Sequence, residues 1–177
     1  MLIDSQKKLK AEAKKAFDKL SGNKLSLATA ESFTGGAVAN AVIQIPGASN
    51  FFKEGIVCYS NESKMFRLNV KSTTLDNYGA VSEKTCREMA EGLLSSPLKP
   101  DFAVATTGNA GPGTEDKSLD GECFIAAGDK NHICVRRIFL SGTREENICE
   151  GAAQALELLN ESLKSKGKQK KKKKRKE

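Results

Sequence analysis

LSLATAESFTGGAVANAVIQI, residues 25–45, changes its hydrophobic period halfway along. Leu25 to Ala30 is short and apolar, the signature of a strand entering a core. Gly35 and Gly36 then break the pattern. After them Val38, Val42 and Ile45 recur at i, i+4 and i+7, one face of a helix that Pro46-Gly47 ends. A strand, a tight polar turn and a helix in direct succession are the opening of an α/β unit.

The flanking sequence extends this unit in both directions. Upstream, Leu9, Ala13, Ala16, Phe17 and Leu20 line one face of a helix over Ser5–Leu20, which Ser21-Gly22-Asn23 stops. Downstream, the β-branched run Gly55–Tyr59 reads as a buried strand. Short helices follow over Asn61–Leu68 and Thr73–Tyr78, and Ser82 serves as the N-cap of a helix carrying Cys86, Met89, Ala90, Leu93 and Leu94. Asp101–Thr107 is the next strand, ending in the glycine-rich loop Gly108–Gly113. Glu122–Ala127 and His132–Leu140 form a hairpin about residues 128–131. The last helix opens with Thr143-Arg144-Glu145-Glu146, a capping box. The expected architecture is a three-layer α/β/α sandwich with a mixed, mostly parallel sheet. It occupies residues 1–163, and the lysine-rich remainder, 164–177, is expected to be disordered.

Charge separates these two parts. The chain of 177 residues has a net charge of +7, but ten Lys or Arg and one Glu in 164–177 contribute +9, leaving the remainder at −2. The folded part therefore has no basic field for nucleic acid, whereas the tail could hold RNA or an acidic surface non-specifically, or be a solvated appendage. Five dispersed cysteines without a C-x-x-C pair, and a single histidine, fit free thiols in a reducing cytosol and no zinc site. No apolar run approaches the ~20 residues of a membrane helix. The expectation is a cytoplasmic protein that needs no metal or cofactor.

Three polar segments carry candidate chemistry. Glu31–Gly36 places two hydroxyls and a run of backbone N–H groups at a helix start. It is either a cradle for phosphate or carboxylate, or an ordinary cap in which Ser32 or Thr34 caps and the glycines turn. No lysine follows the glycines, so it is not a Walker A loop. Lys64 falls in the first turn of a helix after a strand. Desolvated there, it would act as a general base, and Ser49, Ser60 and Ser63 are candidate nucleophiles, although most lysines on short helices are solvated. Gly108–Gly113 lets a ligand approach the backbone or simply turns the chain, and Arg144 could pair with a phosphate or with Glu145 and Glu146. His132, in the hairpin, reads as a surface residue rather than a triad member.

Six segments in order resemble the CinA C-terminal family, the nicotinamide mononucleotide amidohydrolases. They are Ala-Glu-Ser-Phe-Thr-Gly-Gly at 30–36, Ile-Pro-Gly-Ala-Ser-Asn-Phe-Phe at 45–52 and Gly-Ile-Val-Cys-Tyr-Ser-Asn-Glu-Ser-Lys at 55–64. Tyr-Gly-Ala-Val-Ser-Glu at 78–83, Gly-Asn-Ala-Gly-Pro-Gly at 108–113 and Ser-Gly-Thr-Arg at 141–144 complete the set. The resemblance covers Leu25 to Leu163 and the form without an amino-terminal partner domain.

That resemblance implies metal-independent hydrolysis of the carboxamide of nicotinamide mononucleotide to nicotinic acid mononucleotide and ammonia, in pyridine nucleotide salvage. It implies Ser49 as nucleophile and Lys64 as its base, with Tyr59 and Thr107 beside them. Ser32 and Arg144 match further active-site positions of the family. Ser32, Thr34, Gly35, Gly36, Arg144, Gly108 and Asn109 are then expected to bind the nucleotide, and a homodimer or higher homo-oligomer is expected. The chain departs from the family pattern at Phe33 (usually Cys), Ala48 (usually Ser), Asn109 (usually Ile) and over 114–121. A rival expectation is a nucleotide-binding protein of the same fold without catalysis, associated with RNA through its tail.

Overall fold

A computed structural model describes residues 2–113 and 118–173, with side chains through 164. The elements are α1 (Leu2–Asn23), β1 (Leu27–Glu31), α2 (Ala37–Ile43), a one-turn 3₁₀ helix (Ala48–Asn50), β2 (Phe52–Val57), α3 (Asn61–Leu68), α4 (Ser72–Tyr78), α5 (Glu83–Leu94), β3 (Phe102–Gly108), β4 (Glu122–Asp129), β5 (His132–Phe139) and α6 (Arg144–Lys173).

The five strands form one sheet in the order β2-β1-β3-β4-β5. β2, β1 and β3 run parallel, in the register Val57–Glu31–Thr106, while β4 and β5 are antiparallel. Side-chain alternation along β1 divides the core in two. Leu27 points into one apolar cluster with Leu20, Val38, Leu156 and Leu159, contributed by α1, α2 and α6. Ala28 and Ala30 point into the other, with Leu68, Met89 and Leu93 from α3 and α5. The α/β/α sandwich read from the sequence is the observed fold.

Three expectations need correction. Gly55–Tyr59 is not a buried strand: β2 spans Phe52–Val57 at the sheet edge, its residues alternate between half-buried and exposed, and Tyr59 is 64% exposed. Its β-branched content is equally suited to an edge, where one face is still packed. α2 is capped by neither Ser32 nor Thr34. Its N-cap is Gly36, in the left-handed region at φ 98°, a residue with no side chain of its own to cap the helix. The last helix extends to Lys173, ten residues beyond Leu163, where a structureless tail was expected to begin. Lys and Gln propagate a helix readily once it is nucleated, and residues 174–177 lie outside those described.

The capping predictions at α5 and α6 match the structure. Ser82 Oγ accepts from the Thr85 N–H at 3.1 Å. Thr143 donates to the Glu146 carboxylate from both its N–H, at 2.9 Å, and its hydroxyl, at 3.2 Å.

Candidate active site

The carboxyl ends of β1, β2 and β3 meet in one place, where parallel sheets collect their ligand-binding groups. Lys64, in the first turn of α3, folds back over the end of β2 and is only 1% exposed. Its Nζ donates to the carbonyl oxygens of Cys58 at 3.0 Å and Tyr59 at 3.1 Å, and lies 3.1 Å from Ser32 Oγ. Burial pulls the Lys64 pKa below the ordinary lysine value, outweighing the opposing pull of Cys58 and Glu62. Among the described residues no carboxylate is salt-bridged to it. The expectation of a solvated lysine on a short helix is thus reversed. α3 begins so soon after β2 that its first turn faces the sheet.

The serine at Lys64 is Ser32. Ser49 lies on the 3₁₀ helix before β2, exposed, whereas Lys64 acts beyond the far end of that strand. Six strand residues separate the two positions, roughly 20 Å, so within one chain they do not meet. Ser60 is the N-cap of α3, its Oγ accepting from the Ser63 N–H at 3.2 Å. The segment 30–64 therefore contains a serine–lysine pair, but a different one from that expected.

The helix start at 32–39 is not an open cradle. The carboxylate of Glu31, 1% exposed, accepts from the N–H groups of Gly36 (3.0 Å), Val38 (3.0 Å) and Ala39 (2.8 Å) and from the Thr34 hydroxyl (2.7 Å). The amides of Gly35 and Ala37 bond back to the Ser32 and Thr34 carbonyls. An internal anion thus already occupies the position proposed for an external one, which corrects the assignment of Thr34, Gly35 and Gly36 to substrate. Among the described residues, the N–H groups of Phe33 and Thr34 meet no acceptor. Glu31 and Thr106 were missed from the sequence. The available signal was a single carboxylate closing a run of small strand residues.

The remaining candidates brace the mouth of the site. Thr107, buried on β3, donates to the Ala80 carbonyl at 2.7 Å. Arg144 donates to the Gly111 carbonyl at 2.8 Å and to the Tyr59 hydroxyl at 3.1 Å, tying α6, the glycine loop and the end of β2 together. It also lines a cavity of about 540 Å³ with Gly111, Asp120, Leu140 and Asn147. Asn109 is engaged within its own loop, accepting from the Gly111 N–H at 3.0 Å and donating to the Gly113 carbonyl at 2.8 Å. Gly108 pairs with Cys123 of β4. Phe33 is core, with its ring against Gly151 of α6, where a Cβ would come within 2.5 Å of it. A cavity of about 650 Å³ lined by Arg87, Glu91, His132 and Ile133 lies at the opposite end of the sheet, so volume does not mark this site.

Comparison with known proteins agrees with this fold and with these motifs. The model of the CinA C-terminal domain matches residues 9–163. The chain belongs to the CinA C-terminal domain family. Its relatives include a putative competence-damage inducible protein of Clostridium novyi, 42% identical over 147 residues, which cover 82% of this chain and 35% of that protein. A CinA-like protein of Thermotoga neapolitana is 46% identical over 151 residues, 84% of this chain and 36% of that protein. The chain therefore spans about a third of the length of these curated relatives. Among solved structures, a competence or damage-inducible protein from Enterobacter asburiae superposes with a TM-score of 0.83 at 31% identity, covering 88% of this chain and 98% of that one. The competence/damage inducible protein CihA from Agrobacterium tumefaciens gives 0.81 at 33% identity, covering 86% and 93%. The CinA motifs at 30–36, 55–64, 108–113 and 141–144 are those that build the carboxyl-end site.

Proposed function

We propose that the chain is an amidohydrolase in which Ser32 is the nucleophile and Lys64 its general base. The substrate in this reading is the carboxamide of nicotinamide mononucleotide, in pyridine nucleotide salvage. The observation that carries the reading is the buried Lys64 amine, 3.1 Å from Ser32 Oγ. A neutral amine has two hydrogens, and the Cys58 and Tyr59 carbonyls take both. Its lone pair is then left for the Ser32 hydroxyl proton. Burial lowers the lysine pKa, which favours that neutral form.

As Ser32 Oγ attacks the amide carbon, its proton passes to Lys64, and the resulting ammonium keeps three acceptors around it. The amide oxygen becomes an oxyanion, for which the N–H groups of Phe33 and Thr34 are the donors nearest in sequence. Collapse of the intermediate breaks the C–N bond, and the Lys64 proton leaves with the nitrogen as ammonia. Lys64 then takes a proton from water, whose hydroxide attacks the Ser32 ester. The acid is released as Lys64 returns that proton to Ser32 Oγ, restoring the serine and the neutral amine. Arg144, exposed beside its cavity, is suited to the nucleotide phosphate.

Release of ammonia from nicotinamide mononucleotide by the purified chain tests the reading. Ser32→Ala is expected to lower kcat roughly 10⁴-fold, while Ser49→Ala leaves it within about twofold. Full turnover in Ser32→Ala would overturn the assignment.

A further inference from the structure

Glu31 and Ser32 are consecutive residues and so point to opposite faces of the sheet. Ser32 faces Lys64. Glu31 faces the α2 layer, where its carboxylate takes the three amides of the helix start and the Thr34 hydroxyl. That last bond sets the polarity of a short chain. Thr34 has one hydroxyl proton and gives it to Glu31, so the Thr34–Thr106 contact, 2.8 Å, must have Thr106 as its donor. The Thr106 oxygen is then free to accept, and the Ser32 N–H points at it at 3.4 Å as well as at the Thr106 carbonyl at 2.9 Å. The carboxylate thus reaches the serine backbone through two threonines, and it fixes the turn that follows by holding Gly36, Val38 and Ala39. Among the described residues Glu31 has no cationic partner. A buried carboxylate with only neutral donors is a costly way to close a helix end.

We infer that Glu31 is a positioning residue, its carboxylate clamping the 31–39 turn from one face of the sheet so that Ser32 Oγ is held on the other within reach of Lys64. This rests on the Ser32–Lys64 reading. Gln is the informative replacement because it keeps the shape and one oxygen but turns a hydrogen-bond donor toward an amide N–H. Displacements of an ångström at a nucleophile cost up to about a hundredfold in rate, so a loss of tenfold or more is expected.

The test is phosphonylation of the full chain by a serine-directed fluorophosphonate, in which the serine oxygen displaces fluoride from phosphorus, with the modified residue located by mass spectrometry, alongside steady-state turnover. Wild type is expected to label at Ser32. Glu31→Gln is expected to label to the same final extent with a rate constant at least tenfold lower, with kcat reduced alike and KM within about twofold. A purely structural role predicts the reverse, a smaller labelled fraction at the wild-type rate constant, and that result would overturn the inference. Should Glu31→Gln fail to fold, Thr106→Val removes the relay hydroxyl at constant shape and must slow labelling, and Thr106→Ser must restore it. Wild-type rates in Thr106→Val would equally overturn the proposal. Failure of wild type to label at Ser32, with full turnover in Ser32→Ala, would instead bring down the serine–lysine reading and the positioning role with it.

Discussion

At the scale of single residues, Lys64 decides how the molecule behaves. A lysine buried without a carboxylate pays for its charge, so the folded chain binds its proton less tightly than the unfolded chain does. Below the lowered folded pKa both states are protonated and the penalty is complete. Between that value and the unfolded one, near 10.4, the unfolded state binds more protons and stability rises with pH. Chemical denaturation of wild type and Lys64→Met across this window should show wild type gaining on the variant as pH increases; parallel curves would mean that Lys64 is not desolvated. The same titration predicts that kcat/KM rises with pH, with a midpoint below the ordinary lysine value, and that Lys64→Met is inactive at every pH. The sequence made Lys64 a candidate through its place after a strand, but not its partner. Ser32, Ser49 and Ser60 are all hydroxyls beside apolar runs, and only the parallel register of β1 and β2 brings the first of them to the amine.

At the scale of elements, the site depends on how closely α3 lies against α5. A methyl group on Gly92 of α5 would overlap the Leu68 carbonyl at the end of α3. α3 carries Lys64, so Gly92→Ala is expected to push α3 outward, costing about 1–3 kcal/mol of stability and lowering kcat beyond what the loss of folded protein explains. Thermal melts paired with turnover per folded molecule check this; unchanged kcat at reduced stability would show that α3 moves without disturbing Lys64. Helix starts at Ser82 and Thr143 were legible because a cap needs only residues three positions apart. The start of α2 was misread because its cap comes from Glu31, which approaches the helix from the preceding strand, and local spacing favours a Ser or Thr within the turn. Gly35 and Gly36, at φ 59° and 98°, supply the left-handed backbone that makes this approach possible.

At the scale of the whole molecule, charge and fold are separately distributed. Residues outside 164–177 sum to −2, so affinity for polyanions is expected to come from the basic residues 164–177. The full chain is expected to be retained on immobilised heparin at low salt and a chain ending at Leu163 to pass through, with equal turnover in both. Retention of the shortened chain would place a basic surface on the sandwich itself. The order of strands and helices, both apolar layers, the hairpin and the family motifs were determined by sequence alone, because periodicity, turn residues and caps act over a few neighbouring positions. Which serine faces Lys64, and that the apparent anion cradle is filled by the chain's own Glu31, were decided only in the tertiary structure. Both depend on strand register and on which face of the sheet each residue takes, and those bring together groups 32 residues apart at Ser32 and Lys64 and more than 70 apart at Ser32 and Thr106.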